Sequence, residues 1–346
     1  MENNELHNLK EVKDLKISPE RKLFSANHEE IIQGATTDIY FIKTREILQQ
    51  LEDVNTNVVA EIFCNDSGIF AGIDEALNLL TEKDVKVWSL KEGAKMEKKE
   101  VVMRVEGEYN DFGIFETAIL GILASSSGWA TAAKQCKKAA GDKPMLCFGS
   151  RHLHPSSAPV MERAAIIGGA DGASSILGAK LAGEEPSGTV PHALMLVAGD
   201  TLDVARAYHE LMPEQAARIM LVDTFKDEAE ETLRLAKDLK GNLDGIRLDT
   251  PSERGGVTVP LVKEIRARLD QAGYKEVNIF ASGGLTPERI TKLNEAGVDG
   301  FGVGSYISGA RAINMTMDIK EVAGEPIAKR GRIPGISDTN RLERKL

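Results

Sequence analysis

The sequence of 346 residues has few cysteines, no excess of positive charge and no long apolar run. Its three cysteines, Cys64, Cys136 and Cys147, are far apart in apolar or helical contexts, which argues against a disulfide framework and a CxxC metal site. The formal net charge of −10 argues against a general nucleic-acid-binding protein, because neutralising phosphates requires a basic face. The N-terminal stretch MENNELHNLKEVKDLK is charged, and no later segment approaches about eighteen uninterrupted apolar residues. We therefore expect a cytoplasmic, globular protein with no membrane partner, in which any anion site is local.

The order of the predicted elements indicates two domains. Residues 1–20 are predicted to form a flexible tail, and residues 21–125 contain short strands separated by turns, which predicts a small, sandwich-like α+β domain. Residues 126–310 alternate apolar strands with amphipathic helices, a pattern that predicts right-handed crossovers and a parallel sheet. We expect this sheet to form a closed or nearly closed (β/α) barrel. Residues 311–346 resemble a strand, a turn and another strand, and we expect them to return to the first domain.

Polar residues and glycines follow the predicted barrel strands. In parallel barrels the functional side chains lie in the loops at the carboxyl ends of the strands. The residues at these ends are Ser150, Arg151, Asp223, Thr224, Arg247, Asp249, Ser282–Gly284 and Gly302–Ser305. We expect them to form one site at one mouth of the barrel.

Two kinds of side chain at these ends suit the binding of a phosphorylated sugar. The glycine-rich ends FASGG and GVGS expose backbone N–H groups that can bind a phosphate, although either loop alone is equally typical of a plain turn. The aspartates of LVDTF and RLDT can bind a divalent cation, bind ribose hydroxyls or transfer a proton. Arg247 points to the same side of its strand as Asp249, since the two are separated by one residue.

The segment after the strand MLCFGS adds cationic candidates. Arg151 suits a carboxylate or a phosphate, which it can bind in a bidentate manner. His152 and His154 have no Asp, Glu or Cys at a useful spacing, so they do not indicate a metal site. His192, in GTVPHAL, lies at the predicted start of a helix, where an imidazole can be exposed, although a lone histidine is more often structural.

Ordered motifs from about Thr36 to Gly335 extend this interpretation: TTDIYF, VEGEYNDFGIFETAILGILASSSGWAT, FGSRHLHP, GGADGASS, PSGTVPHALML, LVDTFKDE, GIRLDTPSERGG, SGGL and GVGSYIS. In these motifs the chain resembles the nicotinate phosphoribosyltransferases, which are type II phosphoribosyltransferases, and especially their archaeal-type branch. The resemblance implies an irregular α/β barrel between a sandwich-like domain and a returning C-terminal segment. It also implies transfer of the phosphoribosyl group of phosphoribosyl pyrophosphate to nicotinate in NAD biosynthesis or salvage, with Mg²⁺ and, as in many relatives, ATP hydrolysis.

The resemblance also implies residue roles. His192 completes a Gly-Thr-x-x-His motif whose histidine ATP would phosphorylate. Asp223, Arg247 and Asp249 would hold the ribose, the pyrophosphate and the metal, with Asp223 as the Mg²⁺ ligand. The implied substrate-binding residues are Tyr40, Arg151, His152, His154, Asp171, Ser174 and Thr189. The implied phosphate-binding residues are Gly283, Gly284, Gly302, Gly304 and Ser305.

The same resemblance implies a homodimer or larger homo-oligomer with shared active sites, because Tyr40 would stack on the pyridine ring bound by the neighbouring subunit. Some archaeal-type relatives carry a cysteine cluster for zinc, but the tail RIPGISDTNRLERKL has no cysteine, so we expect no zinc site.

Three alternatives stay open. Quinolinate phosphoribosyltransferase, which releases carbon dioxide, shares the barrel and the SGG loop but uses no phosphohistidine, so the GTVPH motif argues against it. Nicotinamide is a second possible substrate, which the sequence discriminates only weakly. The chain can also be a non-catalytic binding homologue, although Arg151, His192 and the acidic residues of the predicted site are all present.

Overall fold

The computed structural model describes residues 5–346, and these form two compact units. The first unit consists of the residues up to Ala130 together with Arg311–Leu346, and the second is Thr131–Ala310. Each unit contains its own six-stranded sheet. The strands of the first sheet are antiparallel, whereas those of the second are parallel.

The elements follow one another along the chain with short connections. The strands are β1 (Asn57–Cys64), β2 (Gly68–Ile69), β3 (Val85–Ser89), β4 (Lys95–Met96), β5 (Val101–Glu108), β6 (Met145–Cys147), β7 (Gly172–Ala173), β8 (Ile219–Leu221), β9 (Gly245–Leu248), β10 (Asn278–Ala281), β11 (Gly300–Val303), β12 (Met315–Val322), β13 (Glu325–Pro326) and β14 (Glu343–Arg344). The α-helices are α1 (Leu9–Asp14), α2 (His28–Ile32), α3 (Ile39–Gln50), α4 (Ile73–Asn78), α5 (Tyr109–Phe112), α6 (Glu116–Ala140), α7 (Ala158–Ile167), α8 (Ile176–Leu181), α9 (His192–Ala198), α10 (Thr201–Leu211), α11 (Glu228–Leu239), α12 (Val259–Ala272), α13 (Pro287–Glu295) and α14 (Ser305–Ser308).

The C-terminal segment completes the sheet of the first unit. The strand order is β13-β12-β1-β5-β3-β14, so β12 and β14 pair with β1 and β3, and β2 and β4 form a separate two-stranded sheet. Alternate residues of β1, such as Ala60 and Ile62, point into the core, as the two-residue period of a strand requires. Met317 of β12 joins the same core.

A long helical stretch supplies the other side of that core. Tyr109–Ala140 is long and apolar enough to cross a membrane by length and composition, but half of its most apolar window is buried inside the protein. Phe112, Phe115 and Ile119 belong to the hydrophobic core of the first unit. This burial is typical of the core helix of a globular domain.

The second unit is built from strands that alternate with helices. Its sheet has the order β7-β6-β11-β10-β9-β8, and every neighbouring pair is parallel. All four residues of β11 are buried, as expected for a parallel strand covered on both faces. Asp227, Thr258 and Thr286 accept backbone hydrogen bonds at the N-termini of α11, α12 and α13, so the loops after β8, β9 and β10 each end in a helix cap.

The predicted fold class, an irregular (β/α) barrel with an N-terminal α+β domain and a returning C-terminal segment, is confirmed. Because all six barrel strands run in the same direction, their carboxyl ends lie at one edge of the sheet. Residues 1–4 of the predicted flexible tail lie outside the described residues. Later residues of the tail form α1, whose N-cap is Asn8.

Candidate active site

A polar cluster occupies the carboxyl ends of three neighbouring strands, β8, β9 and β10. Arg247 lies within β9, and its guanidinium donates hydrogen bonds to three side chains of the cluster. Its Nε donates to Ser282 Oγ at 2.8 Å, its Nη1 to Thr189 Oγ1 at 2.7 Å and its Nη2 to Asp249 Oδ2 at 3.3 Å. Ser282 in turn donates to Asp249 Oδ1 at 2.7 Å. The strands thus fix one cation and one carboxylate side by side at the barrel mouth.

His192 completes the cluster at the first residue of α9. Its Nε2 lies 2.8 Å from Asp223 Oδ1, and its Nδ1 lies 4.0 Å from Asp249 Oδ2. The second oxygen of Asp223 accepts the backbone N–H of Asp249 at 2.6 Å. The side chain of Asp223 is 1% exposed, whereas that of His192 is 35% exposed. A buried carboxylate therefore orients an imidazole whose other face remains accessible to a ligand.

Phe148 supports Arg247 from the neighbouring part of the sheet. The guanidinium carbon of Arg247 lies 5.2 Å from the centroid of the Phe148 ring, within the range of a cation–π contact. The same ring lies against Gly302 of β11, where an added Cβ would approach it to 2.4 Å. Gly302 is required by this close approach, because any side chain there would displace Phe148.

The glycine loop, which we define as Ser282–Leu285, follows β10. Gly283 and Gly284 have φ of +86° and +58°, two successive left-handed conformations that favour glycine. The N–H of Ser282 donates to the carbonyl of Leu248. Within residues 5–346, neither Gly283 nor Gly284 donates its N–H to a backbone acceptor. Both glycines are exposed, so their amides are available to an anion.

Gly304 and Ser305 follow β11, which pairs directly with β10. An added Cβ at Gly304 would lie 3.0 Å from the carbonyl oxygen of Phe148 and 3.1 Å from His152 Cε1. The loop after β6 therefore packs closely against the loop after β11. The residues predicted to bind phosphate therefore lie on two adjacent loops.

Arg151, His152 and His154 lie on the loop after β6 and are exposed. The Nδ1 atom of His152 lies 3.1 Å from Ser308 Oγ, and that of His154 lies 2.7 Å from Ser156 Oγ. Arg151 forms no salt bridge with an acidic side chain in the part of the chain that the structure describes. Its charge is therefore available to an anionic ligand at the same edge of the sheet as the cluster.

Asp171 and Ser174 lie at opposite ends of β7. Asp171 precedes the strand, and its Oδ2 accepts from Lys137 Nζ and from the backbone N–H of Met145, each at 2.8 Å. The structure therefore places it at the amino edge of the sheet, away from the cluster. Ser174 follows the strand, and its Oγ donates to Glu162 at 3.1 Å.

Tyr40 belongs to the first unit, at the start of α3. Its side chain is largely exposed, and its ring centroid lies 4.4 Å from that of Phe41. Its predicted role in the site of a neighbouring subunit, and the homodimer on which that role depends, stay predictions.

Three residues near the site carry no prediction from the sequence. Phe148 supports Arg247, and Arg289 on α13 contacts the glycine loop. Glu162 is fully buried and also accepts the backbone N–H of Ser175 at 2.9 Å. A single acid within the apolar helix APVMERAAII was a usable signal for Glu162. Arg289, in the segment TPERI, resembles any surface arginine of a helix, so the residues around it do not predict its contacts with the glycine loop.

A cavity of about 430 Å³ adjoins the cluster inside the second unit. Thr189, Arg247 and Ser282 form a polar part of its wall, and the rings of Phe148 and Phe280 line another part. This volume lies in the range of small-molecule sites. A polar end beside aromatic rings suits a flat, charged ligand.

The two aspartates of the cluster differ in their access to a cation. Both oxygens of each carboxylate accept hydrogen bonds inside the protein, but the side chain of Asp223 is 1% exposed, whereas that of Asp249 is 22% exposed. Between Glu5 and Leu346, no group of three or more His, Cys, Asp or Glu side chains is arranged to hold a metal ion. A cation here would therefore need a ligand such as a substrate phosphate, and Asp249 is better placed than the predicted Asp223 to share it.

The three cysteines do not contribute a nucleophile. All three are free and buried. Burial raises the pKa of the Cys136 and Cys147 thiols to about 12, and it also raises the pKa of the Cys64 thiol. At neutral pH these thiols are protonated and therefore unreactive.

Comparison with known proteins identifies relatives of two kinds. The nicotinate phosphoribosyltransferase of Bacillus subtilis (strain 168) is 32% identical over 225 residues, which is 64% of this chain and 45% of the relative. The decarboxylating quinolinate phosphoribosyltransferase 2, mitochondrial, of Nicotiana glauca is 27% identical over 274 residues, which is 75% of this chain and 73% of the relative. The chain thus spans about half the length of the nicotinate relative.

A solved structure matches more of the chain. The crystal structure of nicotinate-nucleotide pyrophosphorylase from Pyrococcus furiosus has a TM-score of 0.87 and 42% sequence identity. The match covers 91% of this chain and 82% of that protein.

Family models match both parts of the chain. Residues 38–127 match the N-terminal domain of quinolinate phosphoribosyl transferase, and residues 129–318 match its C-terminal domain. The prediction of a nicotinate phosphoribosyltransferase, with nicotinate and ATP as partners, is therefore wrong. The phosphohistidine role of His192 falls with it, because the quinolinate reaction uses no ATP. The matches to both domains show that the chain belongs to the quinolinate phosphoribosyl transferase family.

Proposed function

We propose that this chain transfers the phosphoribosyl group of phosphoribosyl pyrophosphate to quinolinate, forming nicotinate mononucleotide, pyrophosphate and carbon dioxide. The observation that carries the proposal is the match of both domains to the quinolinate family, together with the polar cluster at the barrel mouth. The same reasoning makes the chain an enzyme of NAD biosynthesis. We also propose that it works in the cytoplasm.

The first chemical step is substitution at C1 of the ribose. The ring nitrogen of quinolinate forms a bond to C1, and pyrophosphate leaves with the electron pair of the broken C–O bond. Positive charge develops on the sugar and negative charge on the leaving group. The Arg247 guanidinium, fixed by Ser282 and Thr189, is suited to the negative charge. Asp249 is suited to the ribose hydroxyls, because its carboxylate accepts hydrogen bonds.

The 5′-phosphate would bind at the two glycine-rich loops. Gly283 and Gly284 present amides without a backbone acceptor in the described chain, and Gly304 and Ser305 lie on the adjacent strand end. Backbone N–H groups in consecutive left-handed residues form a concave anion site. Fixing the phosphate there positions C1 for attack, which contributes to the rate by lowering the entropic cost.

The second step is loss of the carboxylate next to the ring nitrogen. The bond between this carboxylate and ring C2 breaks, carbon dioxide leaves, and the electron pair remains on C2 beside the cationic nitrogen. A proton from solvent then completes nicotinate mononucleotide. The exposed Arg151 is suited to the carboxylate that stays on the ring, because the described chain offers it no acidic partner.

Mg²⁺ fits this site as an ion held mainly by the pyrophosphate of the substrate, with Asp249 sharing it and Asp223 held in place by His192. When bound, it would supply positive charge to the leaving group. The residues of this chain would bind and orient the two substrates around that charge.

The test is a substrate assay on the purified protein. Phosphoribosyl pyrophosphate and Mg²⁺ are supplied with quinolinate or with nicotinate, each with and without ATP, and nicotinate mononucleotide is measured. We expect product from quinolinate without ATP, with one carbon dioxide released for each product molecule. Arg247→Ala is the inactive control. Product from nicotinate alone, or a rate that depends on ATP, would overturn the proposal.

A further inference from the structure

Arg289 reaches from α13 to three backbone carbonyls on two loops. Its Nη1 donates to the carbonyls of Gly284 at 2.9 Å and Gly283 at 3.3 Å. Its Nη2 donates to the carbonyl of Val257 at 3.2 Å. We propose that Arg289 is a positioning residue for the phosphate, because it holds the glycine loop in the conformation that presents its amides to the ligand. This inference rests on the proposed function.

The need for such a residue follows from the two glycines. Glycine occupies left-handed and right-handed regions with similar ease, so the peptide between Gly283 and Gly284 can rotate when nothing holds its carbonyl. A rotated peptide would present an oxygen, not an N–H, to the phosphate. Binding would then have to order the loop, and this entropic cost weakens affinity. Arg289 binds the carbonyls of Gly283 and Gly284, so it fixes the peptide that carries the Gly284 N–H and the peptide that carries the Leu285 N–H before the ligand arrives.

The contact to Val257 extends the effect to the loop after β9. Asp249, a carboxylate of the cluster, is the first residue of that loop. Arg289 thus joins the loop of the phosphate site to the loop that follows the ribose-binding carboxylate. The two loops would keep their separation during binding, as a substrate that spans both sites requires.

The charge of Arg289 supports the same role. Throughout the described part of the chain, no acidic side chain forms a salt bridge with its guanidinium. Hydrogen bonds to carbonyls leave the positive charge in place. The side chain is partly buried and contacts the carbonyls of the glycine loop that we propose as the phosphate site. An uncompensated cation at this position attracts a dianionic group.

The experiment compares Arg289→Ala, Arg289→Lys and the wild type by calorimetric titration with phosphoribosyl pyrophosphate in the presence of Mg²⁺. Arg268→Ala is the matched control, because Arg268 is an exposed arginine of α12 that forms a salt bridge with Glu264. We expect the Ala variant to bind about 10- to 100-fold more weakly, as expected for lost hydrogen bonds from a charged group. The Lys variant should recover part of the affinity, and the control should bind as the wild type does.

Steady-state kinetics separate positioning from general destabilisation. In Arg289→Ala the KM for phosphoribosyl pyrophosphate should rise, while the KM for quinolinate and the melting temperature change little. Equal binding by the wild type and the Ala variant would refute the role of Arg289 and leave the proposed function intact. Full recovery of the affinity in the Lys variant would show that the positive charge alone is needed. It would refute a role for the hydrogen bonds to the carbonyls. A wild type that does not bind phosphoribosyl pyrophosphate would refute the proposed function itself.

Discussion

The two edges of the parallel sheet use aspartate in opposite ways. At the amino edge, Asp171, Asp244 and Asp299 each precede a strand and accept a backbone N–H next to the neighbouring strand. The donors are Met145 at 2.8 Å, Arg218 at 2.7 Å and Ile279 at 2.9 Å. At the carboxyl edge, Asp249 accepts from the side chains of Ser282 and Arg247. Aspartate therefore accepts backbone N–H groups at the amino edge of the sheet and forms part of a polar cluster at the carboxyl edge.

At the amino edge the three carboxylates accept backbone N–H groups, whereas at the carboxyl edge Asp249 binds side chains and Asp223 binds both the His192 side chain and the backbone N–H of Asp249. All three amino-edge aspartates are followed by glycine, at Gly172, Gly245 and Gly300. At Gly300 and Gly245 an added Cβ would approach the ring of Phe280 to 2.4 Å and 3.1 Å. The repeated Asp-Gly pair is thus a structural motif for starting a strand. It was a usable signal that Asp171 lies with the structural aspartates.

The contrast between the two edges of the sheet predicts its largest effect on activity at Asp249. Asp249→Asn keeps the size of the side chain but removes the negative charge, so it should lower kcat/KM by about 100-fold or more. The melting temperature should fall only slightly, because Asn still accepts a hydrogen bond from Ser282. Initial rates with quinolinate, together with a thermal melt, provide the measurement. A variant as active as the wild type would remove Asp249 from the proposed site.

Asp171→Ala tests the other edge of the sheet. The change leaves the N–H of the buried Met145 without its acceptor, so the free energy of unfolding should fall by about 1–3 kcal/mol. The KM for quinolinate should stay within about twofold of the wild-type value, since Asp171 lies at the amino edge. Urea unfolding and kinetics on the same sample give both numbers. Asp299→Ala is the matched control, and a raised KM in Asp171→Ala alone would restore Asp171 to the substrate site.

Glu116 provides a third case, a carboxyl group that accepts no hydrogen bond from the backbone or from a side chain of the described residues. It also forms no salt bridge within those residues, and burial, together with the nearby Asp318, raises its pKa from the ordinary 4.5 to about 7. The folded protein therefore keeps this proton at pH values where the unfolded chain has lost it. The free energy of unfolding should fall as pH rises from about 4.5 to about 7, and then level off.

Glu116→Gln should remove this part of the pH dependence. After allowance for solvent screening we expect a difference of about 1 kcal/mol between the two ends of the window. Urea unfolding of the variant and the wild type at several pH values measures it. The same slope in both proteins would show that the pKa of Glu116 is not raised by folding.

The sequence predicted much of the site because strand ends are marked locally. Asp223, Asp249 and Gly283 each follow an apolar run, and parallel strands bring such positions to one edge. The sequence could not assign Arg289, because its three acceptors belong to the backbone and leave no mark on residue types. It also could not separate nicotinate from quinolinate, because the GTVPH motif predicts ATP use, which the match of both domains to the quinolinate family contradicts.

The sequence by itself determined the order of the elements and the (β/α) character of the second unit, because apolar strands and amphipathic helices have different periods. Only the tertiary structure decided which groups each aspartate binds. These contacts join residues far apart along the chain, such as Asp171 with Met145, 26 positions away, and Arg289 with Val257, 32 positions away. Hydrogen-bond geometry at such separations depends on how the strands align, which no local pattern specifies.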